Sequence, residues 1–351
     1  MRVISLVGAR PQFVKVAVIC RAAAKYDNID HLIIHTGQHY DVRMSDVFFE
    51  QLEITPPKYN LEVGSGSHGE QTGEMIKRLE PVLITERPDW LLLYGDTNST
   101  LAGAVVGAKI NLRMAHVEAG LRSFNRRMPE EVNRVVADHL AERLFCPTAT
   151  AVDNLEREGL KERAVFTGDV MYDAVLHAQG AAERYSAPEH RSRRSRGFAL
   201  ATVHRAENTD EPVRLREIVS ALNRISREIC AVVLPLHPRT RKCIDAIGVD
   251  TGEIEVIEPA SYMDMLLLES RARFILTDSG GVQKEAYFAR VPCITLRHET
   301  EWVETLANGC NTLTGANADR IVAAALETVN AGPWTAVYGD GAAGRRIIES
   351  L

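Results

Sequence analysis

Short apolar runs alternate with amphipathic stretches along the whole chain. The apolar runs predict strands near 2–7, 31–36, 89–94, 113–117 and 143–146, and again near 198–203, 230–235, 254–257, 272–277 and 292–296. Between them apolar residues recur at helical spacing, as in 213–228 and 319–330. Strands that alternate with helices predict an α/β fold in which each half of the chain forms a doubly wound parallel sheet.

The length of 351 residues predicts two domains of ordinary size. Open α/β sheets bind ligands beyond the carboxyl ends of their strands, so two such domains facing each other predict a binding cleft. The polar, basic stretch 189–197 lies between the two halves. We interpret it as a solvated linker and loop, with phosphate binding as the alternative.

Composition and charge narrow the classes of partner. The chain is 45% apolar and 25% charged, as in soluble globular proteins, and its net charge of −6 predicts no nucleic-acid binding. No apolar run reaches membrane-spanning length, and residues 1–8 resemble a strand rather than a signal peptide, which favours the cytoplasm. The six cysteines show no metal-type spacing and predict buried free thiols.

The run Ser279-Gly280-Gly281 ends an apolar strand and opens a helical stretch. Backbone N–H groups of a first helical turn lack intrahelical partners, and glycine lets an anion approach the main chain. The run therefore predicts a phosphate site, with Glu285 one turn further on as a partner for a ribose diol. The plainer interpretation is a tight strand-to-helix turn.

Two cations follow the first predicted strand. Arg10 comes directly after it and Lys15 lies one helical turn later, which suits a diphosphate, although surface salt bridges are the alternative. No Gly-x-Gly-x-x-Gly follows any predicted strand, and the chain has no Gly-Lys-Ser/Thr loop. We therefore expect neither a nicotinamide dinucleotide nor a nucleoside triphosphate, and no bound redox cofactor.

Three acidic positions stand out in the first half. Asp96 and Glu118 each follow a predicted strand, and Glu130 opens a predicted helix. Clustered at one rim, these carboxylates would suit acid, base and cation-stabilising roles. Taken singly, each fits a structural role, and Glu130 fits that of a helix-dipole partner.

Two histidines follow strands of the second half. His204 and His237 suit phosphate ligands near the Ser-Gly-Gly run, or packed loop residues. The remaining histidines do not fall at metal-ligand spacings, so we expect no metal site.

Motifs spread along almost the whole chain carry a resemblance. They lie at 8–11, 37–39, 95–97, 116–122, 129–134, 167–169, 204–208, 277–281 and 338–341. In this order they resemble the non-hydrolysing UDP-N-acetylglucosamine 2-epimerase family. The resemblance implies a glycosyltransferase-B-type fold of two Rossmann-like domains, 1–168 and 169–340, with a C-terminal helix about 341–351 that returns to the first domain. It also implies a homodimer that binds UDP mainly through the second domain.

The same resemblance implies the chemistry. The family interconverts UDP-N-acetylglucosamine and UDP-N-acetylmannosamine by eliminating UDP to 2-acetamidoglucal and adding it back, without cofactor or metal. By position, Asp96, Glu118 and Glu130 match the acidic residues of the family. Which of them removes the C2 proton and which returns it stays open. His204, with Arg10 and Lys15, would stabilise the departing diphosphate. The other matching UDP- or substrate-binding positions are Arg205, His237, Tyr262, Ser279, Gly280, Gly281 and Glu285.

Two segments depart from the commonest family pattern. The chain reads Gln38-His39-Tyr40 where Gln-His-Arg is common, so we expect no allosteric activation by substrate. Trp302 replaces the arginine of the usual Thr-Glu-Arg-Pro-Glu. Both features resemble epimerases of UDP-2,3-diacetamido-2,3-dideoxy-glucuronate, whereas the retained Leu121-Arg122 favours the simpler substrate. A hydrolysing epimerase would share much of the same residue set and, more remotely, a glycosyltransferase would share the fold.

Overall fold

A computed structural model describes residues 1–38, 52, 54–191, 193 and 197–351 of the chain. The chain divides into two compact units. The first contains Met1–Ala174 together with Ala336–Leu351, and the second contains Val175–Thr335. Each unit has one parallel sheet, and in the described ranges helices connect most of its successive strands, so the predicted α/β class is confirmed.

The first unit contains a seven-stranded sheet in the order β3-β2-β1-β4-β5-β6-β7. Its strands are β1 Arg2–Val7, β2 Asp30–His35, β3 Tyr59–Asn60, β4 Trp90–Tyr94, β5 Met114–Val117, β6 Arg143–Cys146 and β7 Ala164–Phe166. The described helices that connect them are α1 Arg10–Ala23, α2 His68–Glu86, α3 Asn98–Lys109, α4 Pro129–Leu140 and α5 Ala149–Arg157, with a 3-10 turn at Lys161–Arg163. Helix α6, Val170–Tyr185, contains the boundary between the units.

The second unit contains a six-stranded sheet in the order β10-β9-β8-β11-β12-β13. Its strands are β8 Phe198–Thr202, β9 Ala231–Pro235, β10 Ile254–Ile257, β11 Ile275–Thr277, β12 Cys293–Thr295 and β13 Asn311–Leu313. Its helices are α7 Pro188–Arg191, α8 Ala206–Thr209, α9 Pro212–Glu228, α10 Pro238–Ile247, α11 Tyr262–Arg271, α12 Gly280–Phe288 and α13 Ala318–Glu327, with 3-10 turns at Val303–Gly309 and Thr328–Asn330.

Strands buried on both faces explain the continuous apolar runs. In β8, Ala199 packs with one cluster that includes Leu222, and Leu200 packs with another that includes Leu268. Successive side chains point to opposite faces of a strand, so an apolar run with no polar alternation serves two layers of helices.

The last helix, α14 Ala343–Glu349, belongs to the first unit. The Asp173 carboxylate accepts hydrogen bonds from the N–H groups of Ala343 (3.1 Å) and Gly344 (2.9 Å) at its start. A Cβ at Gly344 would lie 2.5 Å from a methyl group of Val18, so glycine permits close packing on α1.

None of the helices in the described ranges combines the length and apolar character needed to cross a bilayer.

All six cysteines are free thiols. Burial raises the pKa of Cys20 to about 11 and that of Cys293 to about 12, so both thiols stay protonated and poorly nucleophilic near neutral pH.

Candidate active site

The strand order brings the polar strand ends of the first unit together. Strands β1, β4 and β5 are neighbours, and the chain reverses its direction of winding between β1 and β4. Such switch points leave a crevice at the carboxyl ends of the strands. Lys15 follows β1, Asp96 follows β4 and Glu118 follows β5, so all three lie at this edge.

Lys15 and Glu118 form a buried ion pair. Nζ of Lys15 contacts Oε2 of Glu118, and the two side chains are only 9% and 8% exposed. Glu118 has a φ of 74°, in the left-handed region that non-glycine residues rarely adopt. Such strain persists where surrounding contacts enforce it, and it is common at functional sites.

Asp96 is held by helix α4. Its Oδ2 contacts Nη2 of Arg134, and its backbone carbonyl accepts a 2.9 Å hydrogen bond from Asn133. Nη1 of Arg134 lies 2.9 Å from the buried Glu131 carboxylate, which also accepts from the N–H of Ser123 at 2.9 Å. The motif at 129–134 thus serves to orient Asp96.

Glu130 and Arg10 complete the set predicted in this unit. Glu130 is exposed in the first turn of α4, and Lys15 and Glu118, by contrast, are buried. Arg10 begins α1, and its side chain is outside the described part of the structure.

A Cβ at Gly95, next to Asp96, would lie 3.1 Å from Nζ of Lys15. Lys15, Glu118 and the Gly95-Asp96 turn therefore meet at one place.

Gln12 is a residue of this site that sequence reasoning missed. Its Oε1 accepts from the N–H groups of Gly8 (2.7 Å) and Ala9 (3.0 Å). Its Nε2 donates to the carbonyl of Tyr94 at 2.8 Å and to Thr97 at 3.0 Å. Gln12 therefore ties the turn after β1 to the turn after β4. Its only signal in the sequence is a polar residue on the apolar face of α1.

In the second unit, the buried Asp278 organises the turn after β8. Its Oδ2 accepts from the N–H groups of His204 and Arg205, each at 3.1 Å. The side chain of Asn208 donates to the same oxygen at 3.1 Å. The half-exposed ring of His204 has its Nδ1 3.4 Å from Oδ1 of Asp278. Sequence reasoning missed this carboxylate, although it stands directly before Ser279.

The Ser-Gly-Gly run begins α12, as predicted. Ser279 is the N-cap residue, and its hydroxyl faces the N–H of Val282 at 3.5 Å. A Cβ at Gly280 would lie 2.7 Å from Oε1 of Glu301 and 3.2 Å from Nε1 of Trp302. Because Gly280 has no Cβ, the side chains of Glu301 and Trp302 can pack close to its Cα. At Gly281 the nearest atom to such a Cβ is 3.8 Å away, an ordinary contact.

The other predicted residues lie at neighbouring strand ends or on adjacent helices. His237 follows β9, the neighbour of β8, and caps α10 by accepting a 3.3 Å hydrogen bond from the N–H of Arg239. Tyr262 is the first residue of α11 and is half-buried. Glu285 lies buried in α12.

Glu269, on α11, is a buried carboxyl near Glu285. It is 1% exposed, and neither of its oxygens has a hydrogen-bond partner among the described residues. Burial raises the pKa of Glu269 well above its usual range, and the charge of Glu285 adds to the effect. Burial therefore favours the protonated, uncharged form of Glu269 in the folded protein.

The raised pKa of Glu269 predicts that the stability of the folded protein depends on pH. Below the unfolded-state pKa both states hold the proton. As the pH rises towards the raised folded-state pKa, only the unfolded chain releases it, so the free energy of unfolding falls. We expect Glu269→Gln to remove this slope and the exposed Glu228→Gln to keep it. Urea unfolding at several pH values measures both, and equal slopes in the two variants would contradict the assignment.

Within the described ranges no group of three or more His, Cys, Asp or Glu side chains could hold a metal ion. The segment around Tyr40, on which the expectation about allostery rests, lies outside the described residues. The same holds for Ser192 and residues 194–196 of the basic stretch between the halves.

The chain is similar to known proteins along almost its whole length. The family profile of UDP-N-acetylglucosamine 2-epimerase matches residues 21–351. The UDP-2,3-diacetamido-2,3-dideoxy-D-glucuronate 2-epimerase of Pseudomonas aeruginosa is 48% identical over 100% of this chain and 99% of its own. The UDP-N-acetylglucosamine 2-epimerase of Escherichia coli is 31% identical over 100% of this chain and 98% of its own.

A solved structure extends the comparison to the fold. The Methanocaldococcus jannaschii UDP-GlcNAc 2-epimerase, crystallised in complex with UDP-GlcNAc and UDP, has a TM-score of 0.91 and 43% identity, covering 100% of this chain and 99% of that one. The predicted glycosyltransferase-B-type class, with two Rossmann-like units, is confirmed. The chain belongs to the UDP-N-acetylglucosamine 2-epimerase family and is an isomerase.

Proposed function

We propose that the protein interconverts UDP-N-acetylglucosamine and UDP-N-acetylmannosamine without hydrolysis. The observation that carries the proposal is the meeting of Lys15, Glu118 and the Gly95-Asp96 turn at the switch point of the first sheet. A chain of this family with carboxylates at two adjacent strand ends has the groups that a proton transfer at carbon requires.

The reaction explains why several carboxylates are needed. C2 of the sugar carries a hydrogen but has no neighbouring carbonyl to acidify it. In the proposed route a base takes the C2 proton, a C1–C2 double bond forms, and the C1–O bond breaks with its electron pair leaving on UDP. The resulting 2-acetamidoglucal then accepts a proton on the opposite face of C2 while UDP returns to C1.

The proposed roles follow from these steps. Asp96, Glu118 and Glu130 share the acid, base and charge-stabilising roles, and acid and base stay unassigned. His204, with Arg10 and Lys15, would stabilise the departing diphosphate. The other residues would bind UDP or the rest of the substrate, and these are Arg205, His237, Tyr262, Ser279, Gly280, Gly281 and Glu285. The homodimer and the cytoplasmic location stay predictions.

Incubation with UDP-N-acetylglucosamine in deuterated water, without added NAD or metal, tests the reaction. We expect a mixture of both UDP-sugars with deuterium at C2. Products without deuterium would exclude the elimination route, and a requirement for NAD would contradict the expectation of no cofactor. Release of UDP with free N-acetylmannosamine would indicate a hydrolysing enzyme, and transfer to an added acceptor would indicate a glycosyltransferase.

A second candidate substrate is UDP-2,3-diacetamido-2,3-dideoxy-glucuronate. It is favoured by the 48% identity with the Pseudomonas aeruginosa enzyme. Trp302 also favours it: this buried ring stands where the family commonly has arginine, with Nζ of Lys284 3.8 Å from its centroid. Values of kcat/KM for both substrates decide between them, and a higher value for the diacetamido sugar would replace the first choice.

A further inference from the structure

His116 lies on β5 and is completely buried. Its ring makes two short hydrogen bonds, one from each nitrogen. Nδ1 is 2.7 Å from Oδ1 of Asp138 on α4, and Nε2 is 2.7 Å from the backbone oxygen of Gly95. Gly95 directly precedes Asp96, and Glu118 stands two residues after His116. The histidine therefore lies between the two turns that carry the proposed reacting carboxylates.

Asp138 is also completely buried, and its second oxygen binds the turn after β5. Oδ2 accepts from the N–H of Gly120 at 3.1 Å and from Nη1 of Arg122 at 2.7 Å. Arg122 in turn makes two 2.7 Å bonds to Glu158. Burial by itself would raise the pKa of Asp138, but the charges and hydrogen bonds of His116 and Arg122 outweigh it and lower the pKa. Oδ2 of Asp138 faces two donors, one of them a guanidinium, which is the environment of an ionised carboxylate.

The charge of His116 follows from the number of hydrogens on its two ring nitrogens. The carbonyl of Gly95 can only accept, so Nε2 carries a hydrogen. The ionised Asp138 can also only accept, so Nδ1 carries one as well. The ring is an imidazolium.

The charges of the surrounding groups agree with this assignment. With His116 positive, the charges of the buried His116, Asp138 and Arg122 and of the partly exposed Glu158 sum to zero. Cys146, on the neighbouring strand β6, adds no charge because burial raises the pKa of its thiol.

We propose that His116 is a positioning residue for the epimerisation, held as an imidazolium that ties the Gly95-Asp96 turn, through Asp138, to the turn containing Glu118. The inference rests on the proposed function, because it takes Asp96 and Glu118 as the reacting groups. His116 is buried and touches no substrate. It fixes the Gly95 carbonyl directly, and through Asp138 it fixes the N–H of Gly120, two residues beyond Glu118.

Nitrogen-15 NMR of histidine-labelled protein tests the charge without reference to activity. We expect one histidine, identified by its loss in His116→Gln, to carry protons on both ring nitrogens at neutral pH. A neutral ring with one unprotonated nitrogen at neutral pH would overturn the proposal. This measurement is valid whichever reaction the protein catalyses, so it separates failure of this inference from failure of the proposed function.

Kinetics test the positioning role. We expect His116→Gln to lower kcat by about tenfold to a hundredfold, since small misplacements of reacting groups have effects of that size. The dissociation constant of UDP should stay within about twofold, because the expected UDP ligands are not bound to this cluster. His139→Gln, at an exposed histidine beside Asp138 on α4, is the matched control and should keep the original kcat.

Two outcomes would overturn the positioning role. One is a kcat for His116→Gln equal to that of His139→Gln. The other is a parallel loss of UDP affinity, kcat and thermal stability, which indicates a purely structural residue. If His116→Gln does not fold, Asp138→Asn takes its place, and we expect it to return His116 to a neutral ring and to lower kcat. An unchanged ring or an unchanged kcat in that variant would also overturn the proposal.

Discussion

Replacing Glu118 by glutamine is expected to reduce turnover by about a hundredfold or more, while the affinity for UDP stays within a few-fold. Glutamine keeps the size of the side chain but can neither take a proton nor balance the charge of Lys15. We expect the same result for Asp96→Asn and Glu130→Gln. Steady-state kinetics with the UDP-sugar and calorimetry with UDP measure the two quantities.

The structure separates an effect on chemistry from an effect on folding in these variants. Glu118 and Asp96 are ion-paired with Lys15 and Arg134, so their variants should also lose thermal stability. Glu130 is exposed, so Glu130→Gln should lose turnover alone. Glu142→Gln, at a surface pair with Arg113, is the control and should change neither. Lost UDP affinity with normal turnover at saturation would make these carboxylates binding groups.

Gly120→Ala is expected to lower the free energy of unfolding by about 2–5 kcal/mol. Gly120 has a φ of 80°, and a Cβ there would lie 2.3 Å from the backbone oxygen of Ala151, which cannot rotate away. Left-handed backbone costs an alanine about 1–2 kcal/mol, and overpacking adds about 1–3 kcal/mol. Chemical denaturation measures the sum.

Gly159→Ala is the matched control for the steric part. Gly159 has a similar φ of 75°, and no heavy atom lies within 4 Å of its hypothetical Cβ. We expect its alanine variant to lose only the backbone contribution, about 1–2 kcal/mol. Equal losses at both glycines would show that the contact with Ala151 relaxes, and the close packing of the Gly120 turn would then need another explanation.

The pattern of apolar residues predicted ten of the thirteen strands found in the described residues close to their observed positions. The three strands that it missed are Tyr59–Asn60, Ala164–Phe166 and Asn311–Leu313. Each lies at the edge of its sheet and is two or three residues long. An edge strand is fixed by hydrogen bonds to a single neighbour, so its residues need not form the long apolar run by which a central strand is recognised.

The sequence also indicated the candidate reactive positions, because the carboxyl ends of parallel strands form the ligand edge of an α/β sheet. It could not indicate the residues that hold them. Gln12, Glu131 and Asp278 read as ordinary polar residues. The structure alone shows that Gln12 joins the turns after β1 and β4. It also shows that Glu131 holds Arg134 and that Asp278 binds the turn containing His204.

The sequence by itself determined the class of fold, the family and the strand ends at which the polar residues stand, because hydrophobic period and motif order are local properties of a chain. Tertiary structure alone decided which carboxylate faces which cation. Lys15 and Glu118 are far apart in sequence and meet because β1 and β5 both flank β4 in the sheet. The imidazolium that we propose for His116 also depends on tertiary structure, since the atoms that its two nitrogens face come from other elements.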